Sequence, residues 1–460
     1  MRTAMATGAG KAVAFLSRRL SLGGGTSFPG DVALRIDPRL LQKMAARLAA
    51  GCVVVTGTNG KTTTARLLSS ILRRAGLTLV HNRSGANLLA GVTAALLDSA
   101  SLLGYPGGEM GIFEVDEATL PRAVAETRPR AVVVTNLFRD QLDRYGEIDY
   151  VAALWRRALA ALPPSSAAIL NADDPLVASL GNGTRAQVVY YGIEDVRYGS
   201  PDLEHAADSK HCLSCGAPYR YELAYYGHLG HYACPGCGAA RPRLAVAAEQ
   251  LQLRGTTGAS IDLALPQGRL SLNTGLPGLY NVYNVLAALA CCSALGIPLA
   301  TLQQGVESFA AAFGRIERIA IGDKQLFLAL VKNPVGFNEV LRMLLLDPGA
   351  RHLVIIINDN VADGTDISWL WDVDFELLPG RVETVLVAGT RAEDMQLRLK
   401  YAGVDLARVQ LEKDLRAALT RGLGRVPAGG TLYVLPTYTA MLEIRRVIEG
   451  LGYAEKFWKD

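Results

Sequence analysis

A chain of 460 residues is too long to be built around one hydrophobic core, so its length predicts two or three domains. Half of the residues are hydrophobic and a fifth are charged, and a net charge of +4 gives no electrostatic indication of a nucleic-acid partner. No apolar run approaches the roughly 20 residues that a membrane span requires. The chain has seven cysteines, an odd number, and Cys52, Cys291 and Cys292 fall in apolar segments, so unpaired thiols predict a reducing, cytoplasmic location.

The first 50 residues are predicted to form an N-terminal arm followed by one amphipathic helix over 31–50. The arm carries Lys11, Arg18 and Arg19, and its charges follow the short apolar stretch, whereas those of a signal peptide precede it. We interpret the arm as a frayed basic terminus, with peripheral membrane contact as the alternative.

Alternating strands and helices follow the arm. Apolar runs rich in β-branched residues predict strands over 52–56, 110–115, 131–135, 167–171 and 188–191, with a helix over 62–75 directly after the first strand. This alternation predicts a parallel sheet covered on both faces by helices. We assign residues 51–313 to one domain, which ends with short strands over 251–254, 260–265 and 268–272 and a helix over 281–295.

A second strand–helix series begins after Gly314. Its predicted strands are 325–331, 352–358, 384–388 and 431–435, and its predicted helices are 336–346, 392–402, 414–422 and 439–451. Residues 314–460 are therefore expected to form a second, smaller α/β domain.

A glycine-rich turn lies between the strand 52–56 and the helix that follows it. Its two glycines allow the backbone to curl so that its N–H groups face an anion, and the helix N-terminus adds partial positive charge. The lysine would bridge the β- and γ-phosphates of ATP, and the first threonine after it would bind Mg²⁺. We predict an ATP site formed by Gly57, Thr58, Asn59, Gly60, Lys61, Thr62 and Thr63.

A magnesium ion on a triphosphate needs a further carboxylate from a neighbouring strand end. Glu114 and Asp116 close the strand 110–115, and strand alternation would place them on one face. Glu114, at the tip, is the predicted Mg²⁺ ligand, with a solvated surface acid as the alternative.

The alternating pattern is interrupted by a Cys- and His-rich segment over 205–243. Two CxxC pairs, each followed by glycine, have the spacing of a zinc ribbon. Four thiolates complete a tetrahedral Zn²⁺ shell, so a structural ion is favoured over a catalytic one and over a redox pair. The predicted ligands are Cys212, Cys215, Cys234 and Cys237; His211, His228 and His231 are the alternative ligands.

These features together resemble the Mur ligase superfamily. The resemblance extends over residues 50–460 and implies that ATP phosphorylates a carboxylate and that an amine then displaces the phosphate. It rests on GTNGKTTT at 57–64, Glu114, TNLFRDQLDRYG at 135–146, LNADDP at 170–175, GLYNVYNVLAAL at 278–289 and GRIER at 314–318.

Four departures from the superfamily pattern narrow the choice among its branches. About 55 residues precede the glycine loop, too few for a uridine-nucleotide-binding domain. Gln141 replaces the usual histidine, and no lysine between Lys61 and Lys210 matches the carbamylated lysine of many members. The family motif DYAHNP appears with Ala329 and Lys332 at its aspartate and histidine positions.

One branch, the MurT-type subunits of lipid II isoglutaminyl synthase, shares these departures. Residues 332–341, 358–375 and 437–441 are similar to its Rossmann-like C-terminal domain, and the cysteine segment is similar as well. The resemblance implies ATP- and Mg²⁺-dependent amidation of the D-glutamate α-carboxylate of lipid II. It also implies ammonia from a GatD-type glutaminase partner and action at the inner face of the membrane.

The resemblance also implies roles for residues outside the loop. Asn281 resembles the adenine-contacting asparagine, and Asp359, after the strand 352–358, would bind the ribose of ATP. Arg315 lies at the expected domain hinge, where it could meet the γ-phosphate. A C-terminal carboxylate could orient the catalytic histidine of the glutaminase. Asp372 is the first candidate for that role and Asp366 the second.

Two other functions remain open at this level. The chain could be a stand-alone amino-acid ligase of the Mur or folylpolyglutamate type, or a nucleotide-binding scaffold without catalytic activity. The cysteine segment and the substitutions at Gln141 and Lys332 argue against the first. The intact Lys61, Thr62 and Glu114 argue against the second.

Overall fold

The computed structural model describes residues 1–19, 27–82, 85–139, 148–204, 207–309, 316–349 and 351–454. The chain divides into two compact units. The first consists of Met1–Gln252, Ala259–Gly275 and Tyr280–Phe309, and the second of Leu253–Gly258, Leu276–Leu279 and Ala310–Asp460.

The first unit is built on a large sheet. Within the described residues its strands are β1 (Cys52–Thr56), β2 (Leu79–His81), β3 (Met110–Glu114), β4 (Ala131–Val134), β5 (Ala167–Asn171), β6 (Gln187–Ile193), β7 (Arg220–Tyr226), β8 (Leu229–Ala233), β9 (Val246–Leu253), β10 (Ala259–Leu265) and β11 (Gly268–Thr274). Nine of them form one sheet in the order β11-β10-β9-β6-β5-β4-β1-β3-β2, and β7 and β8 form a separate antiparallel hairpin.

Helices cover this sheet. Within the described residues they are α1 (Arg2–Arg19), α2 (Phe28–Ile36), α3 (Leu40–Ala45), α4 (Lys61–Arg74), α5 (Leu89–Ser99), α6 (Leu120–Thr127), α7 (Ile148–Ala160), α8 (Pro175–Ser179), α9 (Leu279–Ala294) and α10 (Leu299–Glu307). The strands β1, β3, β4 and β5 are buried along their whole length, as expected for a parallel sheet with both faces covered.

The prediction for the N-terminal 50 residues is wrong in two respects. The arm is a helix, α1, and packs against α2 and α5, with Ala6 and Thr7 fully buried. The predicted helix over 31–50 is two helices, α2 and α3, because Pro38 disfavours a helical conformation at Asp37, which is extended. In the described ranges, no helix has both the length and the apolar character that a membrane span requires.

The other predicted strands and helices of this unit are confirmed, with shifts at their ends. The largest shift is in β9, which begins at Val246, five residues before the predicted strand at 251. Its first half, Val-Ala-Ala-Glu, has few of the β-branched residues that mark a strand in sequence. No bounds were predicted for the strands β2, β7 and β8, or for the helices α5, α6, α7, α8 and α10.

The second unit has a six-stranded sheet. Its strands are β12 (Ile316–Ile321), β13 (Lys324–Ala329), β14 (Arg351–Ile356), β15 (Val382–Ala388), β16 (Val409–Leu411) and β17 (Thr431–Pro436), in the order β12-β13-β17-β14-β15-β16. Only the β12–β13 pair is antiparallel among its described pairs. Its helices are α11 (Pro334–Leu345), α12 (Ala392–Tyr401), α13 (Leu415–Arg425) and α14 (Tyr438–Gly450). The strands and helices predicted after Gly314 are confirmed; β12 and β16 were not predicted.

Candidate active site

The candidate site lies at the carboxyl ends of three neighbouring parallel strands. The strand β1 lies between β3 and β4, with Val55 opposite Glu114 and Thr56 opposite Val134. The glycine loop follows β1, Glu114 ends β3, and Thr135 follows β4. The fold therefore brings these segments to one edge of the sheet, where open α/β sheets place their ligands.

Two positions of the loop require glycine. Gly57 has φ +136° and Gly60 has φ +86°, values that side-chain-bearing residues rarely adopt. A Cβ on Gly57 would lie 2.0 Å from Thr135 Oγ1, and a Cβ on Gly60 would lie 2.0 Å from Asn284 Oδ1. The loop thus fits closely between the segment after β4 and the helix α9.

The segment after β4 fixes the loop by hydrogen bonds. The backbone N–H of Asn59 donates to Asn136 Oδ1 at 2.8 Å, and Thr135 Oγ1 donates to the Asn59 carbonyl at 2.7 Å. The Thr58 hydroxyl lies 3.1 Å from the Phe138 carbonyl and accepts from the Phe138 N–H at 3.0 Å. Thr58 and Asn59 therefore hold the loop in shape in addition to their predicted role in ATP binding.

Lys61 is the first residue of α4, and its amino group is held by acceptors on three sides. Its Nζ donates to Glu117 Oε1 at 2.8 Å, to the Thr58 carbonyl at 3.3 Å and to the Gly57 carbonyl. Both side chains of the Lys61–Glu117 pair are almost completely buried, at 11% and 7% exposure. Thr62, the next residue in the chain, is buried, and Thr63 is half-buried.

The electrostatics of this pair depend on its burial. Burial alone would lower the pKa of Lys61, but the negative charges of Glu117, Glu114 and Asp116 outweigh it, so the net pKa is raised and the ammonium is maintained. Burial raises the pKa of Glu117 to about 7, although Lys61 opposes the shift. Sequence reasoning gave Glu117 no role, because nothing local in the sequence shows which acid Lys61 will meet.

Glu114 is buried at the tip of β3, with 3% of its surface exposed. Asn82 holds its backbone, accepting from its N–H and donating to its carbonyl, each at 2.8 Å. Its Oε2 atom is buried and has no hydrogen-bond partner among the described residues. An orphaned carboxylate oxygen beside a phosphate loop is suited to a divalent cation, because burying it without a partner is costly.

Asp116 lies beyond the end of β3, two residues after Glu114. The strand ends at Glu114, and Asp116 caps the following 3-10 turn by accepting from the N–H of Glu117 at 2.7 Å. The Val115 N–H still donates to the Val55 carbonyl of β1 at 2.9 Å, and Asp116 follows outside the strand from which its orientation was predicted. The turn directs Glu117 toward Lys61.

The helix α9 contributes two asparagines. Asn281 is buried in the first turn of this helix, which begins two residues earlier than predicted, and Asn284 Nδ2 donates to its Oδ1 at 3.0 Å. Asn284 also meets the loop, because Thr64 Oγ1 donates to its Oδ1 at 3.4 Å. Sequence reasoning named Asn281 but missed Asn284, although a spacing of three residues places both on one helix face.

Some predicted site residues lie outside the described residues. They are Arg315, assigned to the γ-phosphate, and the segment 140–143 with Gln141.

The hairpin β7–β8 contacts the segment after β4 through a buried histidine. His228 lies at the hairpin turn, and its ring centroid is 4.7 Å from that of Phe138. Its Nε2 is 3.4 Å from Asp174 Oδ1, and Asp174 in turn accepts from the Leu137 N–H at 2.8 Å. Asp208, on the same Cys-rich segment, accepts from the Arg139 N–H at 2.8 Å. This segment therefore supports the residues that hold the nucleotide loop.

The four predicted zinc ligands form a compact cluster. Their sulfur atoms all lie within 4.8 Å of one another, with Cys212–Cys237 at 3.5 Å and Cys215–Cys234 at 3.4 Å. Four sulfurs placed about 2.3 Å from one Zn²⁺ would be about 3.8 Å apart, so the cluster fits the ion. All seven cysteines are free thiols. His228 and His231 are engaged elsewhere in the fold.

The hairpin and its cysteines lie along the chain between two strands of the large sheet. These strands, β6 and β9, pair with each other in parallel. Arg241, at the end of the segment, donates to Asp173 Oδ1 at 2.6 Å and to the Ile193 carbonyl at 2.8 Å. Arg241 thus ties the C-terminal end of the segment to residues at the ends of β5 and β6.

The acidic residues at positions 359, 363, 366 and 372 of the second unit lie in different environments. Asp363 is buried and accepts from the Thr439 N–H at 2.7 Å, so it caps α14. Asp366 accepts from the N–H and hydroxyl of Ser368, which lower its pKa. Asp359 accepts from the Thr390 hydroxyl at 2.8 Å and lies 3.7 Å from Arg391.

Asp372 is different because it is exposed and, among the described residues, makes no side-chain hydrogen bond or ion pair. It ends a 3-10 turn that is fixed from behind by Arg398, which is 4% exposed. Arg398 donates to the carbonyls of Leu370 and Val373 at 3.1 and 2.7 Å and lies 2.9 Å from a carboxylate oxygen of Glu376. A solvent-facing carboxylate on a rigid turn suits contact with another molecule.

Comparisons with known proteins agree with this geometry. The Mur ligase middle domain matches residues 55–229, and the MurT ligase C-terminal domain matches residues 330–441. The lipid II isoglutaminyl synthase (glutamine-hydrolyzing) subunit MurT of Staphylococcus aureus (strain COL) is 34% identical over 438 residues, which cover 93% of this chain and 94% of that protein. The subunit of the same name from Streptococcus pneumoniae (strain ATCC BAA-255 / R6) is 34% identical over 461 residues, 97% of each chain.

The fold is shared with a solved structure of lower identity. A pseudomurein peptide ligase type C from Methanothermus fervidus superimposes with a TM-score of 0.67 at 23% identity, covering 87% of this chain and 78% of that one. Full-length identity above 30% to the MurT subunits is the stronger finding, since it extends over both units. The chain belongs to the MurT family of ATP-dependent Mur ligases.

Proposed function

We propose that the chain is the synthetase subunit of a lipid II isoglutaminyl synthase. It would amidate the α-carboxylate of D-glutamate in the lipid II stem peptide, giving D-isoglutamine for peptidoglycan. The observation that carries the proposal is the 34% identity to two MurT subunits over almost the whole length of each protein. The buried Lys61 and Glu114 supply the groups that this chemistry needs.

The reaction would proceed in two displacements. A carboxylate oxygen of D-glutamate attacks the γ-phosphorus of ATP, ADP leaves, and an acyl phosphate forms. Ammonia then attacks the acyl carbon, loses a proton, and inorganic phosphate leaves. Lys61 would neutralise charge on the β- and γ-phosphates, as an ammonium aimed at developing charge does in other phosphoryl transfers.

The remaining site residues would bind and orient the nucleotide. The backbone from Gly57 to Thr63 would hold the phosphates, and Asn281, Arg315 and Asp359 would contact adenine, γ-phosphate and ribose. Thr62 and Glu114 would hold Mg²⁺, which when bound neutralises negative charge on the phosphate oxygens. The buried, unpaired Glu114 Oε2 supports this assignment.

Ammonia would come from a GatD-type glutaminase bound to the chain as a heterodimer. Asp372 is the first candidate for a carboxylate that meets the glutaminase and orients its histidine, and Asp366 is the second. The exposure of Asp372 on a turn fixed by Arg398 supports this order. Asp366 already accepts two hydrogen bonds from Ser368.

We propose a structural zinc ion at Cys212, Cys215, Cys234 and Cys237, supported by the compactness of the four sulfurs. We also propose that residues 51–313 form the ATPase domain with the zinc ribbon inserted over 205–243, and that 314–460 form the C-terminal domain. Since the substrate carries a lipid, the enzyme would work peripherally at the inner face of the membrane.

The test is reconstitution of the chain with its glutaminase. With ATP, glutamine and lipid II, the complex is expected to convert the stem-peptide glutamate to isoglutamine, observed by mass spectrometry. The chain alone should do so only at high ammonia concentration. Addition of an amino acid by the chain alone would favour the stand-alone ligase instead.

A further inference from the structure

The helix α1 presents an apolar stripe to solvent. Its exposed large side chains are Met5 at 64%, Phe15 at 57% and Leu16 at 53%, and Met1, directly before the helix, is also fully exposed. At 3.6 residues per turn, these positions and Ala12 fall within an arc of about 100°. A Cβ added at Gly8, on the same arc, would have no atom within 4 Å, so this face is open along the helix.

The opposite face of α1 is used inside the first unit. Ala6 and Thr7 are fully buried, and a Cβ on Gly10 would lie 2.7 Å from Leu97 Cδ1 and 3.2 Å from Ala33 Cβ. At the start of the helix, Arg2 Nε donates to the Ile36 carbonyl at 2.7 Å. The packing against α2 and α5 therefore fixes which face of α1 looks outward, and the exposed stripe is a consequence of that packing.

The charged residues of α1 itself are all positive. Residues 1–30 contain Arg2, Lys11, Arg18 and Arg19 and no aspartate or glutamate. By helical angle, Arg2 and Lys11 flank the stripe on its two sides, and Arg19 lies at its end. Arg19 is itself exposed, with its guanidinium 6.0 Å from the Phe15 ring centroid.

We propose that this face of α1 binds the surface of an anionic membrane, with Phe15, Leu16 and Met5 in the headgroup layer. A helix with an apolar stripe and basic flanks lies in the plane of such an interface, where its cations meet lipid phosphates. The middle of the stripe has only Gly8 and Ala12, so it lacks the row of large side chains that a protein groove would accept. A lipid layer, being deformable, needs no such row.

The proposal assigns a surface to the peripheral location in the proposed function, and its test does not depend on the amidation reaction. Purified full-length chain is sedimented with vesicles of phosphatidylcholine alone or mixed equally with phosphatidylglycerol. We expect apparent affinity about tenfold or more higher for the anionic vesicles, declining as salt screens the charges. Absence of binding, or equal binding to both vesicles, would overturn the proposal, whatever the result of the amidation assay.

Variants locate the surface. Phe15→Glu with Leu16→Glu should reduce anionic binding to the level of neutral vesicles, and Arg19→Glu, which changes only a solvent-exposed charge, should lower it several-fold. The matched control, Leu397→Glu with Leu406→Glu, alters two leucines that are each 46% exposed in the second unit and should bind as the unaltered chain does.

Each variant is checked by circular dichroism and by ADP binding, so that loss of folding is recognised. Undiminished vesicle binding by the folded double variant would refute the assignment to α1. If the double variant instead lost its glutaminase or its self-association while vesicle binding persisted, the stripe would be a protein interface and the proposal would fail.

Discussion

At the glycine loop, two buried acids with different surroundings lie near Lys61. Glu117 is paired with Lys61 at 2.8 Å, whereas Glu114 has a buried oxygen with no described partner. The fold therefore separates an acid that holds the lysine from an acid that is available to a cation. Both acids come from the four residues 114–117, and the end of β3 between them produces the difference.

Replacing Glu114 by glutamine should abolish most of the activity and leave the fold intact. The side chain keeps its shape but loses the charge for Mg²⁺, so we expect the amidation rate to decrease about a hundredfold or more and the Mg²⁺ requirement to rise. Rates measured across a Mg²⁺ titration check this. The control is Glu109→Gln, at an exposed position directly before β3. Equal losses of activity in both variants would argue against a metal role for Glu114.

Glu117→Gln should change how nucleotide affinity depends on pH. The pKa of Glu117 is raised to about 7, so the carboxylate is charged above that pH and competes with phosphate for Lys61, while protonation below it weakens that competition. ATP affinity of the unaltered chain should therefore decrease as pH rises through about 7, relative to the variant. The phosphate of ATP titrates in both proteins and cancels in the comparison.

Calorimetric titration with Mg-ATP between about pH 6 and pH 8 measures this ratio. We expect the ratio of the two dissociation constants to change several-fold over that interval. A ratio that stays constant with pH would show that Glu117 does not compete with the nucleotide.

At the scale of elements, the Cys-rich segment reaches the nucleotide loop through His228. The imidazole packs on Phe138, whose backbone holds Thr58 of the loop. His228→Ala would leave a cavity beneath this segment and destabilise the chain by about 2–4 kcal/mol.

The expected signature of His228→Ala is a higher KM for ATP with unchanged metal content, since the cysteines are untouched. Elemental analysis and steady-state kinetics on one preparation measure both. His211→Ala, at an exposed position beside Cys212, is the control. If zinc were lost from the His228 variant, the histidine would have a role in the metal site that the structure does not give it.

In the second unit, Arg398 organises the turn that displays Asp372. Its guanidinium makes two bonds to backbone carbonyls, faces Glu376, and lies 5.3 Å from the Phe375 ring centroid. Arg398→Ala removes these bonds and leaves buried carbonyls unpaired, so a loss of about 2–4 kcal/mol is expected.

The Arg398→Ala variant should also bind the glutaminase more weakly, because the turn becomes less ordered. Thermal unfolding and binding measurements check the two effects, with Lys400→Ala, an exposed change on the same helix, as the control. If the variant were destabilised but bound the glutaminase as tightly as the unaltered chain, the turn would not be part of the docking surface.

At the scale of the whole molecule, the sequence predicted the two strand–helix series because each strand is a short apolar run bounded by polar turns. It also predicted the loop and the cysteine cluster, since these are encoded by local spacing. Contacts between distant segments could not be predicted. Asn284 contacts the glycine loop at Gly60, more than two hundred residues away in sequence. Arg398 binds a turn that lies about twenty-five residues before it.

The N-terminal helix α1 could not be predicted from its sequence either. α1 contains two glycines and few large apolar residues, so its own sequence favours a frayed arm. Its glycines and alanines become an advantage only because α2 and α5 approach closely, at Gly10 for example. Helix formation here depends on packing more than on propensity.

The central claim is that the chain transfers phosphate from ATP to a carboxylate before ammonia arrives. Lipid II labelled with ¹⁸O in the D-glutamate α-carboxylate, incubated with the chain, ATP and ammonia, tests it directly. We predict one labelled oxygen in inorganic phosphate for each amide formed, and neither product with Lys61→Ala. Amide formation with unlabelled phosphate, or with the label in AMP, would contradict the account.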